Sequence, residues 1–280
     1  MRIIEAETIA EAIAEIAVEA CCKLSPDTLG ALRRARDSEE SSSGKEVLDA
    51  LLENAGIAGK EMVPICQDTG MAVVFVEMGA DVRVEGASLV AAIEEGVRRG
   101  YRRGNLRTSM VADPFERVNT GDNTPPVVHL EAADGEGLRI DFLAKGAGCE
   151  NASFLGMLKP ADGRQGVIEF VVDGVVRNAP NSCPPVIVGV GVGGTMEKAA
   201  LIAKKSLLRP LSEPHSDQNT AALESDLLER INRSGIGPAG FGGTVTALAV
   251  HVETYPCHIA SLPVAVNLEC HAHRHRRITL

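Results

Sequence analysis

Cys66, Cys183 and Cys270 are the residues of this sequence with the clearest capacity for chemistry. Cys66 stands in PICQDTG (64–70), beside the amide of Gln67 and the carboxylate of Asp68, just before the apolar run MAVVFVEMG. Cys183 stands in NSCPPVIVGVGVGGT (181–195), on a turn stiffened by two prolines. Cys270 lies near the end of PCHIASLPVAVNLECHAHRH (256–275), beside a cluster of histidines. A fourth stretch, GIGPAGFGG (235–243), carries five glycines. Glycine costs backbone entropy, so this many outside simple hairpins points to backbone that must approach something closely. The ordinary role of a free cysteine is core filler, and Cys21, Cys22, Cys149 and Cys257 take that reading.

Three chemistries compete for these residues. Thiolates suit iron–sulfur clusters. Three isolated cysteines hold three corners of a cubane and leave one iron open, as a Lewis acid for a hydroxyl and a carboxylate. Zinc is the second reading, on Cys257, His258, Cys270, His271, His273 and His275. Structural zinc sites use close-spaced ligand pairs, whereas these pairs are directly adjacent, and HAHRH reads equally as a solvated tail. The third reading is a dinucleotide site at GVGVGGT. It lacks the N-terminal strand–helix–strand context, and the acidic residue about 20 positions on, Glu213, falls in a loop.

Composition narrows the field. The chain has 280 residues, 45% of them hydrophobic and 24% charged, which is globular rather than disordered. Aromatics are few (Phe 6, Tyr 2, Trp 0) and the formal charge is −10. Both argue against nucleic acid and anionic membranes as partners. No run approaches the roughly 18 apolar residues of a membrane span. Glu5, Glu7, Glu11, Glu15 and Glu19 interrupt the apolar N-terminus, so it is not a secretory signal. A cytoplasmic protein is expected. Seven cysteines in a chain this long do not form a small disulfide scaffold.

The elements that must position these residues follow from periodicity. Ile9, Ile13, Ile16 and Ala20 share a helical face, with Thr8 and Glu11 as a capping box. Ser25-Pro26 opens a second helix, which ends in a polar, flexible SEESSSG (38–44). A third helix spans 45–54. Strands are expected at 71–79, 127–132, 138–146, 184–194, 244–253 and 259–269, the second and third as a hairpin. Helices are expected at 85–103, 167–179, 196–208 and 217–234. The class is α+β: a helical N-terminal part followed by a mixed β-sheet with packed helices, in a single domain over 1–280.

Taken together and in order, PICQDTG, NLRTSM with VNTGDNTP, KGAGCENAS, NSCPPVIVGVGVGGT and CHIASLPVAVNLECHAHRH resemble the α subunit of the class I fumarate hydratase and L-tartrate dehydratase family. The resemblance runs from about residue 5 to the C-terminus. It implies a [4Fe–4S] cluster held by Cys66, Cys183 and Cys270. It implies substrate contacts from Gln67, Arg107, the backbone at Gly146, and His258, and a catalytic role for Asp68. The implied reaction is reversible hydration of fumarate to malate; the alternative is dehydration of L-tartrate. A non-catalytic metal- or cluster-binding protein is the rival class. Single-chain members carry a further C-terminal domain, so a separate β subunit is expected to complete the site in a hetero-oligomer acting on a small dicarboxylate. Cys149 departs from the family's usual Ser, and Ala147 from its usual Gly.

Overall fold

The computed structural model describes residues 1–280. In chain order the elements are β1 (Arg2–Glu5), α1 (Ala6–Cys22), α2 (Pro26–Ser38), α3 (Ser42–Glu61), β2 (Met71–Gly79), β3 (Val82–Glu85), α4 (Leu89–Arg103), β4 (Val127–Ala133), β5 (Leu138–Lys145), α5 (Ala147–Asn151), β6 (Phe154–Leu158), α6 (Gly163–Asn178), β7 (Val186–Gly193), α7 (Met196–Ser206), α8 (Gln218–Asn232), β8 (Ala247–Tyr255), β9 (Leu262–Glu269) and β10 (His275–Thr279). The class is α+β, as expected. The chain forms two compact units: residues 1–25, 54–147 and 274–280 in the first, and 26–53 with 148–273 in the second.

In the first unit a four-stranded sheet has the order β10-β5-β2-β4. Its core joins Ile9 and Ile13 of α1, Ile93 and Val97 of α4, Val74 and Val76 of β2, and Ile140 and Phe142 of β5. α1 and α4 approach closely because Gly96 and Gly100 lack side chains. A Cβ on Gly96 would lie 2.6 Å from that of Ile13. The expected hairpin between β4 and β5 does not form. β2 lies between them, parallel to β4 and antiparallel to β5. β2 is almost wholly apolar and buried, whereas β4 alternates between exposed and half-buried positions, so β2 takes the centre. The β4–β5 connection crosses the end of β2, where Gly79 and Ala80 donate to the Gly137 and Ala133 carbonyls at 2.8 Å.

In the second unit the sheet order is β6-β9-β7-β8. Two-residue alternation sorts its faces. Val186, Val188 and Val190 of β7 and Val264, Val266 and Leu268 of β9 meet Val171 and Val175 of α6 and Leu227 and Ile231 of α8. The opposite face carries α7, through Ala199, Ala203 and Ala265. Gly189 and Gly191 of β7 lie directly under the carbonyls of Ala203 and Ala199. These glycines seat a helix on a strand and form no phosphate loop.

Other expectations need correction. α1 starts at Ala6, with Glu5 before it and no side-chain cap, because β1 feeds straight into the helix; Thr8 is already inside. SEESSSG is not a flexible linker. Only residues 39–41 separate α2 from α3, and Glu39 is buried. HAHRH is no solvated tail: Ala272, His273 and Arg274 are buried, and the chain continues into β10, paired with β5. Cys257 is exposed, not core; Cys21, Cys22 and Cys149 are buried. No helix is long and apolar enough to cross a membrane.

Candidate functional site

Cys66, Gln67 and Asp68 lie on the loop between α3 and β2 in the first unit. The Cys66 thiol is half-buried and its Sγ accepts the Asp68 N–H at 3.4 Å. Asp68 is bonded through both oxygens. Oδ1 accepts from Gly70 N–H at 3.0 Å, closing an Asx turn. Oδ2 accepts from Ala147 N–H at 2.8 Å. Asp68 therefore ties the cysteine loop to the KGAG segment. A Cβ on Gly146 would lie 2.9 Å from Arg274 Nη2 and 3.4 Å from Asp68 Oδ2. Only glycine fits its buried backbone between a cation and an anion there.

Buried polar groups fix the same loop from behind. Tyr101, fully buried on α4, donates to the carbonyls of Thr69 and Gly70 at 2.8 and 3.1 Å. Burial holds its phenol well above the usual range, so it remains a donor. Asn123 donates to the Gly70 carbonyl at 3.2 Å and accepts the Ser109 N–H at 2.7 Å. Thr69 Oγ1 donates to the Arg107 carbonyl at 2.9 Å. The CQDTG loop thus places the backbone of Arg107, whose side chain is exposed. The words NLRTSM and VNTGDNTP also meet: Val111 bridges Asn119, and Thr120 N–H donates to the Met110 carbonyl. Asp122, held at about 2 by the Thr124 hydroxyl and Arg98 against its burial, anchors the return. Two basic residues that sequence reasoning passed over, Lys145 and Arg274, are 1% exposed. Arg274 Nε donates to the Ala144 carbonyl at 3.3 Å. The signal is present in the K of KGAG and the R of HAHRH, but nothing local in HAHRH distinguishes a buried segment from a solvated tail.

In the second unit, Cys183 and Cys270 lie at one end of the sheet. Cys183 follows a 3-10 turn at φ 52°, ψ 66°, a left-handed conformation that disfavours a side chain. His271 Nδ1–H donates to the Cys183 carbonyl at 3.1 Å. The Cys149 thiol donates to the Ser182 carbonyl at 3.5 Å, and donor atoms of Cys149, Glu269 and Cys270 lie within 4.8 Å of one another. Cys149, expected as filler, belongs to this donor group. The soft thiols suit iron–sulfur chemistry.

His258 stands apart. It lies on the β8–β9 loop, with Met157, Met196 and Tyr255 lining a groove of about 610 Å³. β9, eight residues long, spans roughly 25 Å between this loop and Cys270. The six zinc candidates therefore do not converge. His273, moreover, donates to the Leu207 carbonyl at 3.0 Å. His258 Nδ1 accepts the Ala260 N–H at 3.1 Å, which leaves Nε2 as the protonated nitrogen of the neutral ring.

The thiol and carboxylate donors at one end of the second unit's sheet are the equipment of a protein that holds a metal group. The chain belongs to the fumarate hydratase (Fumerase) family, whose model matches residues 10–279; it is a hydro-lyase of an iron–sulfur-dependent family. It is 40% identical over 272 residues to a Methanocaldococcus jannaschii protein provisionally named L(+)-tartrate dehydratase subunit alpha, with 95% of each chain covered. It is 34% identical over 270 residues to the L(+)-tartrate dehydratase subunit alpha of Escherichia coli strain UTI89, and 33% to that of strain K12. In both of those matches 95% of this chain and 88% of the relative are covered.

Proposed function

We propose that this chain is the α subunit of a hydro-lyase that adds water to fumarate, or removes it from malate, with a [4Fe–4S] cluster held by Cys66, Cys183 and Cys270. Residues 1–280 act in this reading as one α-subunit domain in the cytoplasm. The observation that carries it is the convergence of Cys183, Cys270 and His271 at one sheet end, together with the family match. When bound, a cluster with one iron free of protein thiolate supplies a Lewis acid for a hydroxyl.

The chain's own residues supply the rest. The planar guanidinium of Arg107 clamps a substrate carboxylate by two parallel hydrogen bonds. The Gly146 backbone meets a carboxylate, with Lys145 and Arg274 adding positive charge behind it. Gln67 donates its amide to the substrate. Asp68 retains lone pairs beyond its two amide bonds and accepts the proton from the carbon next to the leaving hydroxyl. His258, at the far end of β9 from Cys270, stays a candidate substrate contact on the family resemblance alone. The relatives' names as alpha subunits support a separate β subunit that completes the site. Those names also favour the second reading, L-tartrate dehydration.

The test is iron, acid-labile sulfide and zinc per chain after anaerobic purification. About four irons and four sulfides are expected, followed by assays of fumarate, malate and L-tartrate with the partner subunit. Stoichiometric zinc without sulfide overturns the assignment. Iron and sulfide without turnover on any of the three acids, partner present, leaves a cluster-binding protein instead.

A further inference from the structure

The glycine loop 235–243 has no part in the chemistry above, yet it is fastened at both ends. One fastening is Glu39, a fully buried carboxylate between α2 and α3. Its Oε1 accepts from the N–H groups of Glu40, Ser41 and Thr244 at 2.9, 2.9 and 2.8 Å, and from the Thr244 hydroxyl at 3.1 Å. Its Oε2 accepts from Val245 N–H at 2.8 Å. Glycines close the space around the carboxylate: a Cβ on Gly243 would lie 2.7 Å from Oε1, and one on Gly44 2.8 Å from Cδ. Gly243 also has φ 142°, which disfavours a side chain there.

The second fastening leads to Cys183. Thr246, next to the anchored Val245, accepts the Gly237 N–H on its hydroxyl at 3.1 Å and the Val186 N–H on its carbonyl at 2.9 Å. Ala239, itself at φ 51°, donates its N–H to the Pro184 carbonyl at 2.8 Å. Cys183 therefore precedes a dipeptide whose carbonyl and following strand are both held by the segment that Glu39 anchors. A left-handed non-glycine residue persists only where its surroundings over-determine it.

We infer that Glu39 is a positioning residue for Cys183. Its carboxylate pins residues 244–245, and through them the glycine loop and the Pro184 carbonyl, which keep Cys183 in its left-handed conformation. This rests on the reading that Cys183 holds the cluster. Glu39→Gln keeps the shape but turns an amide N–H₂ toward backbone donors.

The test compares the full-length wild-type chain, Glu39→Gln and Glu224→Gln. Glu224 is a buried carboxylate of the same unit, bonded to Val252 N–H at 2.8 Å, and serves as a control for general destabilisation. In the apo chains, deuterium uptake of peptides 235–246 and 182–188 should rise in Glu39→Gln and stay at the wild-type level in Glu224→Gln. After anaerobic reconstitution with iron and sulfide, the lifetime of the cluster absorption under a chelator should shorten about tenfold in Glu39→Gln alone, the effect of losing roughly one net charge-assisted hydrogen bond. Should Glu39→Gln fail to fold, Thr244→Val, which removes one donor, should give the same pattern at lower amplitude. Wild-type uptake over 182–188 in a folded variant overturns the inference. So does equal shortening in the Glu224 control. If no chain takes up iron and sulfide, the cluster reading fails, while the uptake of 182–188 still decides the role of Glu39.

Discussion

Asp68 joins two backbone segments that are far apart in sequence, Gly70 and Ala147, and is also the proposed proton acceptor. Asp68→Asn should lower turnover of the assembled enzyme by about 100-fold or more, with iron and sulfide per chain unchanged; full turnover would remove Asp68 from the proton transfer. Arg107→Lys replaces a planar fork by a point charge. It should raise KM for the dicarboxylate by roughly 10-fold or more, read by steady-state kinetics, while leaving metal content alone. His251 tests burial instead of chemistry. Its Nδ1–H donates to the Ser206 carbonyl at 3.0 Å, Nε2 has no partner, and the ring is 2% exposed. Burial, with Arg209 nearby, lowers it from 6.5 to about 4. The ring is neutral in the folded chain but takes a proton on unfolding below pH 6.5. Stability from this group is therefore complete above pH 6.5 and lost progressively as pH falls toward 4, by roughly 3 kcal/mol in all. Urea unfolding of the apo chain across that range should show the slope, and His251→Gln should flatten it.

Elements are placed here by the side chains they lack. Gly96 and Gly100 let α4 lie on α1, and Gly189 and Gly191 let α7 lie on β7. Gly191→Val would drive a branched side chain into the Ala199 carbonyl, so α7 must move. The expected cost is about 3 kcal/mol or more, seen as a lower melting temperature; an unchanged melt would mean that α7 is not seated by these glycines. The hairpin expected between 127 and 146 shows the limit of local patterning. A glycine turn between two apolar runs is a hairpin signal, but it says nothing of a third strand competing for the same edge. β2 wins because its apolar residues need burial on both faces, which only a central position provides.

For the molecule as a whole, the seven cysteines divide by environment. Cys21 is raised to about 12, chiefly by burial, which keeps it a protonated thiol and an inert one. Cys257 is exposed at the far end of β9 from Cys270. Cys66→Ser, Cys183→Ser and Cys270→Ser should each abolish or sharply reduce cluster retention, whereas Cys257→Ser should leave iron and sulfide at wild-type levels. Loss in Cys257→Ser would move the metal to the other end of the sheet.

Much of the site was legible as words. PICQDTG, NSCPP and NLECHA each set a cysteine among small, turn-forming or polar neighbours, and such local chemistry survives in a linear string. The apolar period of α1 and the runs of β2, β7 and β9 were legible for the same reason, since burial of one face imposes a repeat. What the string did not carry was adjacency. The roles of Glu39 and Arg274, the place of β2 between β4 and β5, and the separation of His258 from Cys270 all depend on residues distant in sequence. A buried Glu in SEESSSG looks like any solvated acid, because its five donors come partly from residues two hundred positions away. Sequence by itself determined the class, the family and the candidate residues; only tertiary structure decided which of them share an end of a sheet, because hydrogen bonds and strand order are set by which surfaces must be buried together.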